Sequence, residues 1–492
     1  MTGSVSILGL GASGLAAARL ALLKGEVVYV SELAPQIGPA VGIRVRELEE
    51  LGARVELGSH DLSLIEASDL VVVSPGIPPD APVLCELRTR GVRWVSEPEF
   101  AVRFFSGPLI AVTGTNGKTT TSVLIAHLME CAGIDVALGG NVGGGIAPAA
   151  SELALRDMPP SWYVLEMSSF QLADTETFAP QIGVLTNLAP DHLDRYSDVG
   201  SYFADKAKLF ANARPSDLWV LNGEDSEALR LPGSAAGKRY LFCYDTPSDA
   251  ASRTSAGNET SAGVPSAFLR DGVLTLRVGA EEALIPREEL PLLGRHNVMN
   301  ALAASLTARL AGAGVDGIRE GLRSFRALPH RLQKVGNRGG IVWVNDSKAT
   351  NVAATESALR SLDGTIVLLL GGKDKGEDFR PLGRALHGTV RAAVLYGEAA
   401  ARLESEVGEG LREGARGDLS DAPAGLEPPS VAPPTLVRVH GGFTAAVAAA
   451  EELARPGDLL LLSPACSSFD EFDGYESRGQ RFTELANQGA TL

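Results

Sequence analysis

The run Thr113-Gly114-Thr115-Asn116-Gly117-Lys118-Thr119-Thr120 lies between an apolar stretch, Leu109-Ile110-Ala111-Val112, and a helical pattern. Backbone N–H groups in such a loop cradle the β- and γ-phosphates of a nucleotide, a lysine at its end adds a point charge, and the next hydroxyl can ligate Mg²⁺. Lys118 and Thr119 occupy those two places. The standard phosphate loop carries its first glycine where this chain has Val112, so the loop is a variant. A purely structural turn needs the glycines but not Gly-Lys-Thr-Thr at a strand-to-helix junction. The combination predicts a nucleoside-triphosphate site.

A second glycine loop, Gly9-Leu10-Gly11-Ala12-Ser13-Gly14, follows a strand-like run, opens a helical one and precedes a second strand ending at Glu32. This is the dinucleotide fingerprint, acidic residue included. The glycines let the backbone approach a phosphate, and the helix N-terminus favours its charge. Read alone, the motif fits a nicotinamide cofactor, another phosphate-bearing ligand, or a tight turn with no ligand. A phosphate-bearing ligand is the firmer expectation.

The elements that must hold these loops alternate, short β-rich runs with amphipathic helical stretches, which predicts an α/β fold of parallel sheets with crossover helices. Three blocks separate. In the first, 4–9, 26–31, 69–73 and 92–95 read as strands. The second opens at Leu109 and continues through Trp162-Tyr163-Val164-Leu165 and Ile182-Gly183-Val184-Leu185. The third begins near Leu328-Pro329-His330, where proline interrupts a helical pattern, with strands expected at 341–345, 365–370, 391–395, 436–439 and 458–463. Residues 246–265, rich in Ser, Thr, Ala and Gly, and residues 404–434, acidic and Pro/Gly-rich, read as insertions too polar to pack a core. No repeat of 20–50 residues is visible.

At 492 residues the chain exceeds one hydrophobic core, so several domains are expected. A net charge of −16 argues against a bulk nucleic-acid binder, which needs a basic face. An anionic substrate would have to be met by local lysines, helix N-termini and metal ions. The four cysteines, Cys85, Cys131, Cys243 and Cys466, are scattered, which fits a reducing compartment and neither a zinc site nor a disulfide framework. The start lacks a signal-peptide pattern, and no apolar run approaches the ~20 residues of a membrane span. A soluble, cytoplasmic protein is expected.

Several ordered motifs resemble the Mur ligase family: Gly114–Thr120, Gly139-Gly-Asn-Val-Gly143, Glu166-Met-Ser-Ser-Phe-Gln-Leu172, Asn187-Leu-Ala-Pro-Asp-His-Leu-Asp194 and His296-Asn-Val-Met-Asn-Ala-Leu302. Leu328-Pro-His-Arg331, Asn345-Asp-Ser-Lys-Ala-Thr-Asn351, Gly371-Gly-Lys-Asp-Lys375 and Ser463-Pro-Ala-Cys-Ser-Ser-Phe-Asp470 look like its D-glutamate-adding branch. The resemblance covers all three blocks in order. It implies a Rossmann-like domain over 1–105 that holds the UDP end of a substrate. A central P-loop ATPase-like parallel sheet over 106–327 and a mobile Rossmann-like C-terminal domain over 328–492, for the incoming amino acid, would follow.

The same resemblance assigns residues. Gly114, Thr115, Asn116, Gly117, Lys118, Thr119 and Thr120 would bind ATP, with Asn300 at the adenine, Asp346 at the ribose and Arg331 reaching the γ-phosphate. Thr119 and Glu166 would hold one Mg²⁺, and His192 with Glu166 a second. Lys206, in Tyr202-Phe-Ala-Asp-Lys-Ala-Lys208, matches a carbamylated lysine whose carbamate would ligate that second Mg²⁺. As an isolated residue Lys206 reads as a solvated lysine on an amphipathic helix, and Lys208 is the alternative position. Ser13, Leu15, Ser74, Pro75 and Gly76 match contacts to the UDP moiety, and Asn141 a contact near the reacting end. Lys348, Thr350, Lys375, Ser468, Phe469 and Tyr475 match the amino-acid site. The family has Asp-Thr-Arg after its second strand where this chain has Glu32-Leu33-Ala34, which leaves the uracil contacts unassigned.

The implied reaction is ATP-dependent, makes an acyl phosphate on UDP-N-acetylmuramoyl-L-alanine, and adds D-glutamate in peptidoglycan precursor synthesis; a monomer is expected. Three rivals stand beside it. A nicotinamide oxidoreductase would use Gly9–Gly14 but leaves Lys118 unexplained. A regulatory nucleotide-binding protein would hold ATP without making an amide. A sibling ligase would add another amino acid, or glutamate to folate.

Overall fold

The computed structural model describes residues 3–35, 38–143, 145–191, 195–196, 198–245, 266–417 and 434–488. They form two compact units: Met1–Leu290 with Met299–Phe325, and Pro291–Val298 with Arg326–Leu492. Among the described residues no helix is long and apolar enough to cross a membrane.

The first unit holds two sheets. One has five parallel strands in the order Arg54–Leu57, Val27–Glu32, Ser4–Leu8, Leu70–Val73 and Val95–Ser96. The strand expected over 92–95 is thus only the pair Val95–Ser96, running straight into a helix, Glu97–Val102, with proline in its first turn. The other sheet has nine strands. Its order is Ala280–Pro286, Val273–Val278, Ala267–Arg270, Lys238–Asp245, Leu218–Asn222, Ile182–Leu185, Leu109–Thr113, Trp162–Glu166 and Val136–Gly140. The middle strands are buried throughout, as in Leu109–Thr113 and Ile182–Leu185, because helices cover both faces of a parallel sheet.

This central sheet is mixed, where the sequence suggested a purely parallel one. Val273–Val278 pairs antiparallel with both of its neighbours. The cause is local. Asp271 and Gly272 both have positive φ, 49° and 77°, the geometry of a two-residue hairpin turn that Asp-Gly favours.

The helix Glu97–Val102 joins the two sheets of this unit through buried acids. Glu99 accepts from the Thr177 N–H at 3.0 Å and its hydroxyl at 2.6 Å, and Glu97 accepts from the Ser151 N–H. Burial raises the Glu97 carboxyl to about 7, and its Oε2 has no hydrogen-bond partner among the described residues.

The second unit is built on six strands, in the order Gln333–Arg338, Ile341–Asn345, Leu459–Ala465, Ile366–Gly371, Val390–Tyr396 and Thr435–Arg438, antiparallel only in the first pair. Alternation sorts its side chains into two cores: Val344, Leu368, Leu370 and Leu461 on one face, Trp343, Val367, Leu369 and Leu460 on the other.

The segment 404–434 is not an insertion from its start. A helix, Ala400–Gly417, runs through its first half and buries Leu403 and Val407, with Leu411 packed against the same core. Apolar residues at i, i+4 and i+8 suffice to dock a helix whose other faces are acidic. Residues 418–433, like 246–265, lie outside the described residues.

Candidate functional site

The strand Leu109–Thr113 delivers the chain into the Gly114–Gly117 loop, and the helix Lys118–Cys131 leaves it. Both loop glycines are required by geometry. Gly114 has φ +146°, and a Cβ there would meet the Thr186 hydroxyl at 2.0 Å; Gly117 has φ +81°, with Asn300 Oδ1 2.4 Å away. The segment after Ile182–Leu185 braces the loop: Thr115 N–H donates to the Asn187 carbonyl at 2.9 Å and Asn116 N–H to Asn187 Oδ1 at 2.9 Å. The Thr186 hydroxyl donates to the Asn116 carbonyl at 2.6 Å.

Lys118 folds back so that Nζ donates to the Gly114 and Thr115 carbonyls at 3.0 and 2.7 Å. Lys206, on the helix Val199–Ala207, is 1% exposed and donates to the same Gly114 carbonyl at 2.8 Å. Its amine is pushed down to about 6, first by burial and then by the Lys118 charge, against the pull of Asp191, Asp205 and Glu166. The reading of Lys206 as a solvated lysine therefore does not hold, and Lys208 is the half-exposed residue, donating to the Ala173 carbonyl.

Glu166 ends the strand Trp162–Glu166, buried and paired in register with Val112, with Oε1 accepting from Asn141 Nδ2 at 3.1 Å. Its Oε2 is buried and has no hydrogen-bond partner among the described residues, and Thr119 is also buried. Among the described residues no three His, Cys, Asp or Glu side chains cluster as a metal cage. Mg²⁺ needs no such cage, since it takes one or two carboxylates and completes its shell with water and substrate phosphates. The Glu166 carboxylate and Thr119 hydroxyl are oxygen donors of the kind it binds. His192 lies outside the described residues. Thr120 follows Thr119 in the first turn of the same helix. Asn300 points at the loop, its Oδ1 3.3 Å from the Thr121 hydroxyl.

At the other glycine loop, the third glycine is there for packing: a Cβ on Gly14 would lie 1.9 Å from the Gly9 carbonyl oxygen. Glu32 clasps the loop, accepting from the Leu10 N–H at 2.9 Å and the Ala34 N–H at 3.1 Å. Ser74 is buried with its hydroxyl 3.4 Å from the Gly9 carbonyl, Ser13 and Pro75 are partly exposed, and Gly76 is exposed. Leu15 differs from expectation: its side chain is buried in the core of this sheet, which leaves only its backbone for a ligand contact.

Beside Ser74 and Pro75 opens a cavity of about 520 Å³, walled also by Trp94, Phe170, Arg195 and Tyr196. An aromatic row leads from it toward the buried lysine. The Arg195 guanidinium lies 5.1 Å over Phe170, which stacks on Tyr196, which meets Tyr202 edge-on at 5.3 Å. Lys206 Nζ lies 4.6 Å over the Tyr202 ring. Asp174, in the cavity wall, is raised to about 6 by burial.

In the second unit, Asp346 is buried with both oxygens occupied, by the Leu332 N–H at 3.2 Å and the Ser463 hydroxyl at 2.8 Å, and burial raises it to about 7. It thereby fixes the segment around Arg331, whose neighbours His330 and Leu332 both have positive φ, 61° and 43°. Such backbone strain collects where a side chain must be aimed. Lys348 Nζ lies 5.2 Å over the Tyr475 ring, and Lys375 Nζ donates to the Thr350 carbonyl at 3.0 Å. Ser468 is buried and Phe469 is 66% exposed. These six residues sit on loops that follow three adjacent strands, or at the start of the helix Tyr475–Asn487.

Arg478 is the residue that sequence reasoning missed. It is fully buried between those loops. The available signal was its helical spacing with Phe482 and Ala486, which are buried on the same face.

The chain matches three family descriptions in order: Mur ligase MurD-like, N-terminal domain, over residues 3–96; Mur ligase middle domain over 112–308; and Mur ligase, glutamate ligase domain, over 330–466. It is 40% identical to a UDP-N-acetylmuramoylalanine–D-glutamate ligase of Acidobacterium capsulatum, across 99% of this chain and 97% of that one. It is 38% identical to the protein of the same name from Salinibacter ruber, across 98% and 96%. Among solved structures, it resembles a pseudomurein peptide ligase type C from Methanothermus fervidus (TM-score 0.55, 18% identity, 98% and 100% coverage). It also resembles a UDP-N-acetylmuramate-alanine ligase from Thermotoga maritima (TM-score 0.54, 18% identity, 99% of each chain).

Proposed function

We propose, since this chain belongs to the Mur ligase family, that it is an ATP-dependent ligase that adds D-glutamate to UDP-N-acetylmuramoyl-L-alanine in peptidoglycan precursor synthesis. The acceptor and amino acid are supported by the names of relatives 38–40% identical over nearly the whole chain. The observation that carries the chemistry is the convergence of Lys118, Lys206 and Glu166 on the Gly114 loop. Both lysines reach one carbonyl, and a buried Glu166 oxygen on the neighbouring strand has no partner among the described residues.

In this reading the loop N–H groups and Lys118 hold the β- and γ-phosphates of ATP. The terminal carboxylate of the acceptor attacks the γ-phosphorus and ADP leaves, giving an acyl phosphate. The amine of D-glutamate then attacks the acyl carbon, and phosphate departs from the tetrahedral intermediate. Several anions meet in the first step, so cationic side chains must offset their repulsion. When bound, Mg²⁺ supplies further charge neutralisation, with Thr119 and Glu166 suited to one ion and His192 and a carbamate on Lys206 to a second.

A buried amine held largely neutral is the form that captures CO₂, which supports Lys206 over Lys208 as the modified residue. Asn141, bonded to Glu166, is assigned to the reacting end of the acceptor. Ser13, Ser74, Pro75, Gly76 and the Leu15 backbone are assigned to its UDP moiety, where Glu32 is already spent on the loop. Asn300 and Asp346 keep their adenine and ribose assignments, with Asp346 acting through the segment it holds. Arg331 is assigned to the γ-phosphate, and Lys348, Thr350, Lys375, Ser468, Phe469 and Tyr475 to D-glutamate.

Substrates linked to a nucleotide and dependence on ATP suit the cytoplasm. Phosphate release from ATP with the UDP-linked acceptor and a panel of amino acids tests the reading. D-glutamate should be selected, and release without any amide product would favour a regulatory nucleotide-binding protein.

A further inference from the structure

Arg478 has five N–H donors, and all five meet acceptors. Nε donates to the Ser347 hydroxyl at 3.0 Å, and Nη2 to the carbonyls of Ser347 and Cys466 at 2.9 and 3.1 Å. Nη1 donates to the carbonyls of Ser467 and Gly371 at 3.2 and 3.4 Å. Every acceptor is a neutral oxygen, and the side chain is 0% exposed. A buried cation with no carboxylate in contact among the described residues is costly unless something else requires it.

The acceptors belong to three loops, one after each of the adjacent strands Ile341–Asn345, Ile366–Gly371 and Leu459–Ala465. These are the loops from which Lys348, Lys375 and Ser468 project: Ser347 precedes Lys348, Ser467 precedes Ser468, and Gly371 opens the turn to Lys375. The Ser347 hydroxyl passes the link on by donating to the Tyr475 carbonyl at 2.8 Å. The Lys373 N–H ties two of the loops by donating to the Ser467 carbonyl at 2.9 Å. Gly372 shows how closely they close on the guanidinium, since a Cβ there would lie 2.1 Å from the Ser467 oxygen and 3.0 Å from Arg478 Nη1.

We propose that Arg478 is a positioning residue for the incoming amino acid: it sets the spacing of the three loops, and its charge, met directly only by neutral oxygens, favours a dicarboxylate in front of them. The proposal rests on the D-glutamate reading above. A lysine at this position keeps the charge but offers three donors instead of a five-donor fork, and methionine keeps the length and loses both.

The test is steady-state kinetics of R478K, R478M and S347A, each checked by thermal melting, with ATP, the UDP-linked acceptor and D-glutamate varied in turn. In R478M the KM for D-glutamate should rise about tenfold or more while those of ATP and acceptor stay within about twofold, and R478K should recover much of the loss. If R478M does not fold, S347A carries the test, because it removes one acceptor and leaves the cation; it should raise the same KM alone. An unchanged KM for D-glutamate in a folded R478M or S347A, or a parallel rise in all three KM values, overturns the proposal. Should the unmodified enzyme select another amino acid, the D-glutamate reading fails by itself, and the same split measured with that amino acid decides the role of Arg478.

Discussion

Lys118 and Lys206, 88 positions apart, both donate to the carbonyl oxygen of Gly114, at 3.0 and 2.8 Å. Two ammonium groups on one carbonyl repel each other, and the one that is buried gives way: Lys206 is held near 6 while Lys118 is only partly buried. Lys118 thus keeps the partly open side of the loop, and Lys206 is left a largely neutral amine beside it.

Lys118→Ala is expected to lower ligation at saturating ATP by about 100-fold or more, since it removes the fixed cation at the transferring phosphoryl group. The fold should survive, because Nζ is partly exposed and loop carbonyls are among its partners. Phosphate-release kinetics and a melting curve check both halves, and near-normal turnover would refute the nucleotide site.

Lys206→Ala should abolish turnover with the protein still folded, and acetate should restore part of it by supplying the missing oxygen ligand. Lys208→Ala should stay close to full activity, since that lysine is half-exposed. Rates of both variants with and without acetate, in CO₂-depleted buffer and in bicarbonate, decide the matter. Full activity of Lys206→Ala without CO₂ would rule out the carbamate.

Much of this site was legible because its signals are local. The Gly114–Lys118 loop needs only a strand, two glycines and a helix, all contiguous in the chain. The Asp271-Gly272 hairpin is readable in principle from its dipeptide, but it decides the sheet's antiparallel edge only once a strand is recognised on either side. Other features depend on contacts that span the chain. Leu15 reads as a ligand contact from its motif, yet the helix turns its side chain into the core. Lys206 reads as exposed until the Gly114 loop, 92 positions earlier, is placed over it. Arg478 reads as a surface charge, because the carbonyls that surround it come from loops after three separate strands.

Glu97 gives a pH-dependent stability that its amide variant should lack. Its folded pKa of about 7 lies above the ordinary 4.5, so across that window the folded state holds a proton that the unfolded state releases. Stability therefore falls as pH rises from about 4.5 to 7 and stays lowered above it. Glu97→Gln keeps an acceptor for the Ser151 N–H, and it should gain stability relative to the parent at pH 8.5 compared with pH 5, by something on the order of 2–3 kcal/mol. Denaturant melts of both proteins at the two pH values measure it, and an equal difference at both would exclude the buried carboxyl as the cause.

Gly117→Ala is expected to lose nucleotide binding while the sheet remains intact. The residue has φ +81°, and its new Cβ would lie 2.4 Å from Asn300 Oδ1, so the loop must shift away from the phosphate-binding shape. Calorimetry with ATP and circular dichroism separate the two effects, and binding retained within about twofold would show that the loop tolerates the change.

The amino acid added is the most direct test of the whole reading. A site that pairs both carboxylates of glutamate should reject alanine, because the cation facing the missing group would stay unpaired at a cost of about 1–3 kcal/mol or more. The measurement is ATP-dependent product formation from UDP-N-acetylmuramoyl-L-alanine with D-glutamate, L-glutamate, D-alanine, L-lysine and meso-diaminopimelate in separate reactions, with the product identified by mass spectrometry. D-glutamate should give product with stoichiometric release of phosphate and the others little or none; preference for any of the others, or ATP hydrolysis with no amide formed, would contradict it.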